Sequence, residues 1–269
     1  MTATTAPSFD GAAAFTLVER IAAIGPRDAV SAGFRTASAL VAGELRARGY
    51  TVALQQVPIP AGVSWGVRVP SGTSTNVIAE PEGFDPEKPH VVIGAHLDTV
   101  PQAPGAEDNA SGVAVLLELA RMLRQQPGAL PVRFVVFGGE ESRGSGWRWY
   151  AFGSRRYVDA LSGPQRGAVR AMVSLDRVGR ATRAVPVCHG GRGSAAVAES
   201  IRAAARTPTR ACVNRASDHV SFERAEIPSA RIGSVPYGAY HSSADRPRVV
   251  DSDQLRRSGD VVWTWLRTL

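Results

Sequence analysis

Short, unbroken apolar runs constrain this chain more than any other feature. Val91–Leu97 opens as one such run and Val132–Phe137 is a second, the pattern of strands buried on both faces near the centre of a sheet. Helical periodicity alternates with them. Residues 110–125 repeat Val113, Leu116, Leu117, Ala120 and Leu123 on one face, the spacing of an amphipathic helix. Further helices are expected at 11–24, stopped by Gly25-Pro26, and at 32–48, capped by Gly49. Residues 154–161, 194–206 and 253–266 read as three more. Strands are expected at 51–57, with Val52 and Leu54 on one side, and at 75–80, 171–175, 185–188 and 229–232. This alternation predicts an α/β fold, a three-layer sandwich with a mainly parallel central sheet. No repeat, low-complexity tract or linker interrupts it, so residues 1–269 are expected to form a single domain.

At 44% hydrophobic, 269 residues support a sizeable core and exclude a disordered chain. No run of 18 apolar residues is present, so no membrane span is expected. The formal charge of +7 is carried almost wholly by arginine, with Lys88 the sole lysine. These arginines are scattered and often beside acids, as in Glu44-Leu45-Arg46 and Glu223-Arg224. Without a basic run or an aromatic-interleaved basic stripe, neither nucleic acid nor a membrane surface is an expected partner. Residues 1–7 show neither a basic nor an apolar leader region. The expected location is cytoplasmic, with secretion the alternative where a leader has been removed. Cys188 and Cys212 are too few for a disulfide framework. Two buried thiols are the expected state and a single bridge is the alternative.

The chemistry-bearing fragments fall at or just after the carboxyl ends of the strands, the edge where open α/β sheets bind ligands. They are Gly94-Ala95-His96-Leu97-Asp98-Thr99, Glu107-Asp108-Asn109-Ala110-Ser111-Gly112, Gly139-Glu140-Glu141, Ser174-Leu175-Asp176 and Tyr240-His241-Ser242-Ser243-Ala244-Asp245. Taken singly, each is bland: an aspartate before a helix is usually an N-cap, and a Glu-Glu pair is usually solvated. Their conjunction is not. Asp176 ends an apolar strand, where an unpaired carboxylate would be costly. His96, Asp108, Glu140, Glu141 and Asp176 bring four carboxylates and one imidazole to a single edge, and such charges repel strongly in a poorly solvated cleft. Two divalent cations would neutralise them. Nitrogen and oxygen donors without a thiolate suit zinc, with manganese or cobalt the alternatives. One carboxylate would remain as a base, which points to metal-assisted hydrolysis.

The order His96-x-Asp98, Asp108-Asn109-Ala110-Ser111-Gly112, Glu140-Glu141, Leu175-Asp176-x-x-Gly179, Ser217-Asp218-His219 and Tyr240-His241-x-x-x-Asp245 resembles the M28 metallopeptidases. These are two-zinc aminopeptidases and carboxypeptidases with a zinc-exopeptidase fold. The resemblance runs from about Val91 to Asp245. It implies that His96 and Asp176 bind one zinc, that Glu141 and His241 bind the other, and that Asp108 bridges both. It further implies Glu140 as general base, Asp98 as the carboxylate orienting His96, and Tyr240 as a hydroxyl polarising the scissile carbonyl. Ser217-Asp218-His219 matches a family signature whose expected role is loop structure. The expected substrate is a peptide with a free N-terminus, held by carboxylates of the site. Oligomeric state is left open.

Three departures from the family pattern qualify this reading. Arg177 follows Asp176 where relatives carry a small apolar residue or methionine, and is expected to point away from the site. The segment 142–152 is extended and holds Trp147, Trp149, Tyr150 and Phe152, either a substrate-pocket wall or ordinary packing. Residues 57–75 are too few for a protease-associated insert. The aromatic segment leaves a glutaminyl cyclase-like single-zinc acyltransferase as an alternative. An M20-type peptidase or deacylase is another, through Gly94–Pro101, although His96 and Asp108 lie closer together than that group prefers. Gly62-Val63-Ser64-Trp65-Gly66 matches a serine-hydrolase elbow literally, but prolines precede it and no helix start follows. Gly191-Arg192-Gly193 is discounted as a phosphate loop.

Overall fold

Successive residues of a strand face opposite sides, and the central strands of this chain feed two separate cores. The computed structural model describes residues 7–191 and 195–269. Residues 1–6 of the leader reading, Arg192 and Gly193 of the discounted loop, and Ser194 lie outside the described residues. The sheet comprises β1 (Thr51–Ile59), β4 (Gly72–Glu80), β5 (His90–His96), β6 (Val132–Phe137), β7 (Val169–Asp176), β8 (Val185–His189), β9 (Thr209–Val213) and β10 (Ser229–Gly233). Its order is β1-β4-β6-β5-β7-β10-β8-β9.

Along β5, Val91, Ile93 and Ala95 enter one core while Val92 enters the other. Along β6, Val132, Phe134 and Val136 take the first side and Val135 and Phe137 the second. On the first face pack α1 (Gly11–Ala22), α2 (Ala32–Ala47), α3 (Ser111–Gln125), α6 (Ala195–Ala204) and α8 (Ser252–Leu266). Tyr157 of α4 (Phe152–Asp159) and Phe222 of α7 (His219–Arg224) pack on the other face, and α5 (Gly163–Ala168) leads directly into β7. The three-layer expectation holds. No helix among the described residues is long and apolar enough to cross a membrane.

The parallel character is concentrated in the middle, with β8–β9 a second parallel pair at one edge. β6, β5, β7 and β10 run parallel in succession, whereas β1–β4, β4–β6 and β10–β8 are antiparallel. β1 is an edge strand, which leaves Leu54 53% exposed instead of packed beside Val52. Residues 57–75 hold no inserted domain. They contain a hairpin of β2 (Gly62–Ser64) and β3 (Val67–Val69), so Ser64 lies on a hairpin strand and not at a strand-to-helix elbow. Arg143 fixes this hairpin: it donates two bonds of 2.7 Å to Asp28 and others to the carbonyls of Pro60 and Pro70.

The expected free thiols are corrected. Cys188 and Cys212 are direct partners across the parallel β8–β9 pair, their Cα atoms 4.4 Å apart, and they form a disulfide. The sequence reading missed β9, the strand that brings the two together.

Candidate metal centre

β5 delivers His96 at its last residue and the chain turns at once through Asp98. The Asp98 carboxylate accepts the backbone N–H groups of Gly139, Glu140 and Glu141 at 2.9–3.0 Å, fixing the turn after β6 that carries both glutamates. Gly139 makes this turn with φ +88°, a conformation glycine adopts without strain. The Asp98 carboxylate stands 3.8 Å from His96 Nδ1, and its backbone carbonyl accepts a hydrogen bond from that nitrogen at 3.1 Å. Asp98 orients His96 through the main chain and the Glu-Glu pair through the side chain.

Asp108 sits on an irregular turn, Ala106–Ala110, ahead of α3, and its peptide bond to Asn109 is cis. It is not a simple N-cap. Asp245 accepts the N–H groups of Glu107 and Asp108 and the Tyr237 hydroxyl. Asn109 accepts from Gly112 N and Arg177 N and donates to the Leu175 carbonyl, tying this turn to the end of β7. A Cβ on Gly112 would lie 2.3 Å from that same carbonyl, so the last glycine of the motif serves close approach. Fully buried Glu107 accepts from Gly179 and Arg180 and holds the loop after Asp176.

Those supports converge two donor groups. His96, Asp108 and Asp176 form one; Asp108, Glu141 and His241 form the other, each with its ligand atoms within 4.8 Å of one another. His96 Nε2 lies 3.3 Å from Asp108 Oδ1 and 3.7 Å from Asp176 Oδ1. His241 Nε2 lies 3.1 Å from Asp108 Oδ2 and 3.2 Å from Glu141 Oε1. Asp108 thus turns one oxygen to each group. Glu140 belongs to neither, with Oε2 4.0 Å from His96 Nε2. All six residues are buried.

The field of this cluster calls for positive charge. Burial raises Glu141 to about 7 and pushes Glu140 well above the usual carboxylate range. Burial would also raise Asp108, but hydrogen bonds from His241 and His96 hold it near 2. Burial opposes protonation of His241, yet Asp108 and Glu141 lift it to about 9. Protons and imidazolium are thus drawn into positions that divalent cations suit. The donor set, nitrogen and oxygen atoms with Asp176 Oδ1 buried and without a hydrogen-bond partner among the described residues, Arg177 Nε standing 3.8 Å away, fits two such cations.

Several features escaped the sequence reading. Arg231, 1% exposed, pairs with Asp176 Oδ2 at 3.0 Å and leaves Oδ1 turned toward His96. Arg177 does not point away. Its Nη2 donates to Ser234 Oγ and its guanidinium lies 4.5 Å from the centre of the Tyr240 ring, along the wall of the cavity. Trp65, at the tip of the β2–β3 hairpin, packs edge-on against His241 with centroids 4.2 Å apart. Asp218, assigned a loop role, is fully buried, and burial raises it to about 7. Tyr240 stacks on His241 at 3.7 Å and is 38% exposed. His241 itself takes φ +53°, a left-handed conformation rare outside glycine and frequent at functional sites. Positive φ has no sequence signature at a histidine, and the other contacts join segments far apart in the chain.

A three-layer sandwich with this donor set at the carboxyl edge has the build of a zinc-exopeptidase fold. Residues 76–266 match peptidase family M28, and the chain belongs to that family. Aminopeptidase YwaD of Bacillus subtilis is 34% identical over 205 residues, 71% of this chain and 43% of that protein. The chain therefore spans less than half the length of this curated relative. Among solved structures, a zinc aminopeptidase from Bacillus subtilis superposes with TM-score 0.86 at 21% identity, covering 98% of this chain and 96% of its own. A glutaminyl cyclase of Bacteroides thetaiotaomicron superposes almost equally well, with TM-score 0.85 at 22% identity over 98% and 100%. These two likenesses establish the shared fold and do not separate the activities.

Proposed function

We propose that this chain is a single catalytic domain, a two-zinc aminopeptidase that removes N-terminal residues from peptides. The observation that carries the reading is the sharing of Asp108 between two donor groups, one oxygen to each, with Glu140 outside both. A single-zinc acyltransferase has no need of that second group. His96, Asp108 and Asp176 would hold one zinc and Asp108, Glu141 and His241 the other. Zinc bound there supplies a water of lowered pKa and a polarised carbonyl.

The remaining chemistry belongs to the protein. Glu140, fixed by its backbone bond to Asp98, accepts the proton of the attacking water and passes it to the leaving amine. Arg231 holds one oxygen of Asp176 and leaves the other to the metal side, the outer support that tunes such ligands. Tyr240 lines the same cavity beside His241, where its hydroxyl, kept neutral by burial and by Asp108, donates to the carbonyl oxygen as charge develops.

The test is elemental analysis of purified protein together with hydrolysis of leucine p-nitroanilide before and after chelation. Two zincs per chain and release abolished by chelator are expected. One zinc with no release would overturn the reading and direct attention to glutamine-terminated peptides and the cyclase reaction.

A further inference from the structure

A second cavity of about 780 Å³ adjoins the metal centre, lined in part by Trp147, Val220 and Arg224. It shares Ser142, Tyr150 and Ala216 with the smaller cavity that holds the candidate ligands. Tyr150 therefore stands in the partition between them. Its hydroxyl oxygen is buried and has no hydrogen-bond partner among the described residues. A buried hydroxyl left unpaired is costly, and a cleft wall is where a ligand can satisfy it.

The position of Tyr150 is imposed from both ends. Ala151 N donates to Glu140 O at 3.0 Å and Phe152 N to Gly139 O at 2.7 Å, so the end of the aromatic segment is laced to the turn bearing the base. Arg143 N closes the segment's neck on Trp149 O at 2.8 Å, and the Trp147 ring packs edge-on against Tyr150 with centroids 5.7 Å apart. Burial, and then the charges of Glu140 and Asp218, keep the hydroxyl neutral, with Asp176 adding to the same negative field. Arg231 is the opposing charge, and its Nη2 is held by Asp176. Carboxylates thus outnumber cations among the charges acting on this hydroxyl.

We infer that the Tyr150 hydroxyl accepts a hydrogen bond from the α-ammonium group of the substrate, while the side chain of that terminal residue enters the adjoining cavity. The inference rests on the aminopeptidase reading, in which the ligand carries a free amine. It assigns to the aromatic segment the recognition of the chain end, and it makes Tyr150 a substrate-contacting residue.

The test compares zinc-loaded wild type and Tyr150→Phe by calorimetric titration with two metal-chelating ligands, leucine hydroxamate and 4-methylpentanohydroxamic acid, which differ only in the α-amine. Phenylalanine keeps the ring and the partition. In the variant, the Kd for leucine hydroxamate is expected to rise about tenfold, the des-amino ligand to bind within about twofold of wild type, and zinc content to be unchanged. Equal shifts for both ligands, no shift for either, or no preference for the amine in wild type would each overturn the assignment. None of these readouts uses turnover, so failure of wild type to hydrolyse leucine p-nitroanilide is a separate result that defeats the aminopeptidase reading itself.

Discussion

Arg231 and a metal ion compete to neutralise the same aspartate, and this has a measurable sign. Arg231 Nη2 lies 3.0 Å from Asp176 Oδ2, both side chains nearly inaccessible, while Nη1 donates to Asn214 Oδ1 at 3.1 Å and Ala216 O at 2.9 Å. In Arg231→Met, the metal-free protein keeps a buried carboxylate that has lost its nearest cation and is left with Arg177 Nε at 3.8 Å and His96 Nε2 at 3.7 Å, an insult of about 3–5 kcal/mol. With zinc bound, the charge of Asp176 remains compensated. The loss then reduces to two neutral acceptors, about 1–2 kcal/mol together. The difference, about 2–3 kcal/mol, must appear as tighter zinc binding by the variant, roughly 30- to 140-fold at 1.4 kcal/mol per decade. Urea unfolding with and without zinc measures the two stabilities, and competition against a chromophoric chelator measures the affinity. Equal destabilisation of both forms, or weaker zinc binding, would refute the argument that Asp176 is shared between Arg231 and a metal.

Glu140→Gln is expected to reduce kcat by at least about a hundredfold with zinc content intact by elemental analysis; loss of metal would make Glu140 a ligand instead of a base. Asp108→Ala removes the one carboxylate common to both donor groups and is expected to lose activity and metal together, so retention of two zincs would remove its bridging role. Cys188→Ala/Cys212→Ala opens a loop closed over a separation of 24 residues, which the loop-entropy relation sets at about 3.5 kcal/mol. Denaturant midpoints that do not move in the double variant, or in wild type under reductant, would show that the bridge does not form.

The alternation that gave the α/β class was legible because buried central strands write it directly. Val91, Ile93 and Ala95 against Val92 need apolar residues on both sides, and no surface strand does. The edges were harder to read. β9 is a short edge strand with Val213 60% exposed, so the run Thr209–Val213 carries little burial signal, and with it went the pairing that joins Cys188 to Cys212. Leu54 shows the same limit: alternation predicts that it shares a face with Val52, while only the sheet order decides whether that face is covered.

The candidate site divides along a similar line. Groups that would touch a metal must be carboxylate or imidazole at strand ends, a demand narrow enough to be seen in the chain itself. Groups that position them face no such demand. Asp98 can serve Glu140 and Glu141 through backbone N–H groups of any residue type, so its real hydrogen bonds leave no mark on its partners' identities. Arg231 meets Asp176 across 55 residues, on adjacent parallel strands in which Gly233 faces Asp176. Nothing in the local sequence of β10 marks an arginine that turns inward. Tyr150 reads as one aromatic among four until Ala151 and Phe152 are seen bonded to Glu140 and Gly139. The ligands are thus a property of composition at the sheet edge, whereas discrimination between hydrolase and cyclase, and between one terminal residue and another, belongs to the contacts that topology adds. Superposition alone cannot supply it, since an aminopeptidase and a cyclase fit this backbone equally well. The sharing of Asp108 and the Tyr150 hydroxyl, unpaired among the described residues, are the local features on which the proposed tests bear.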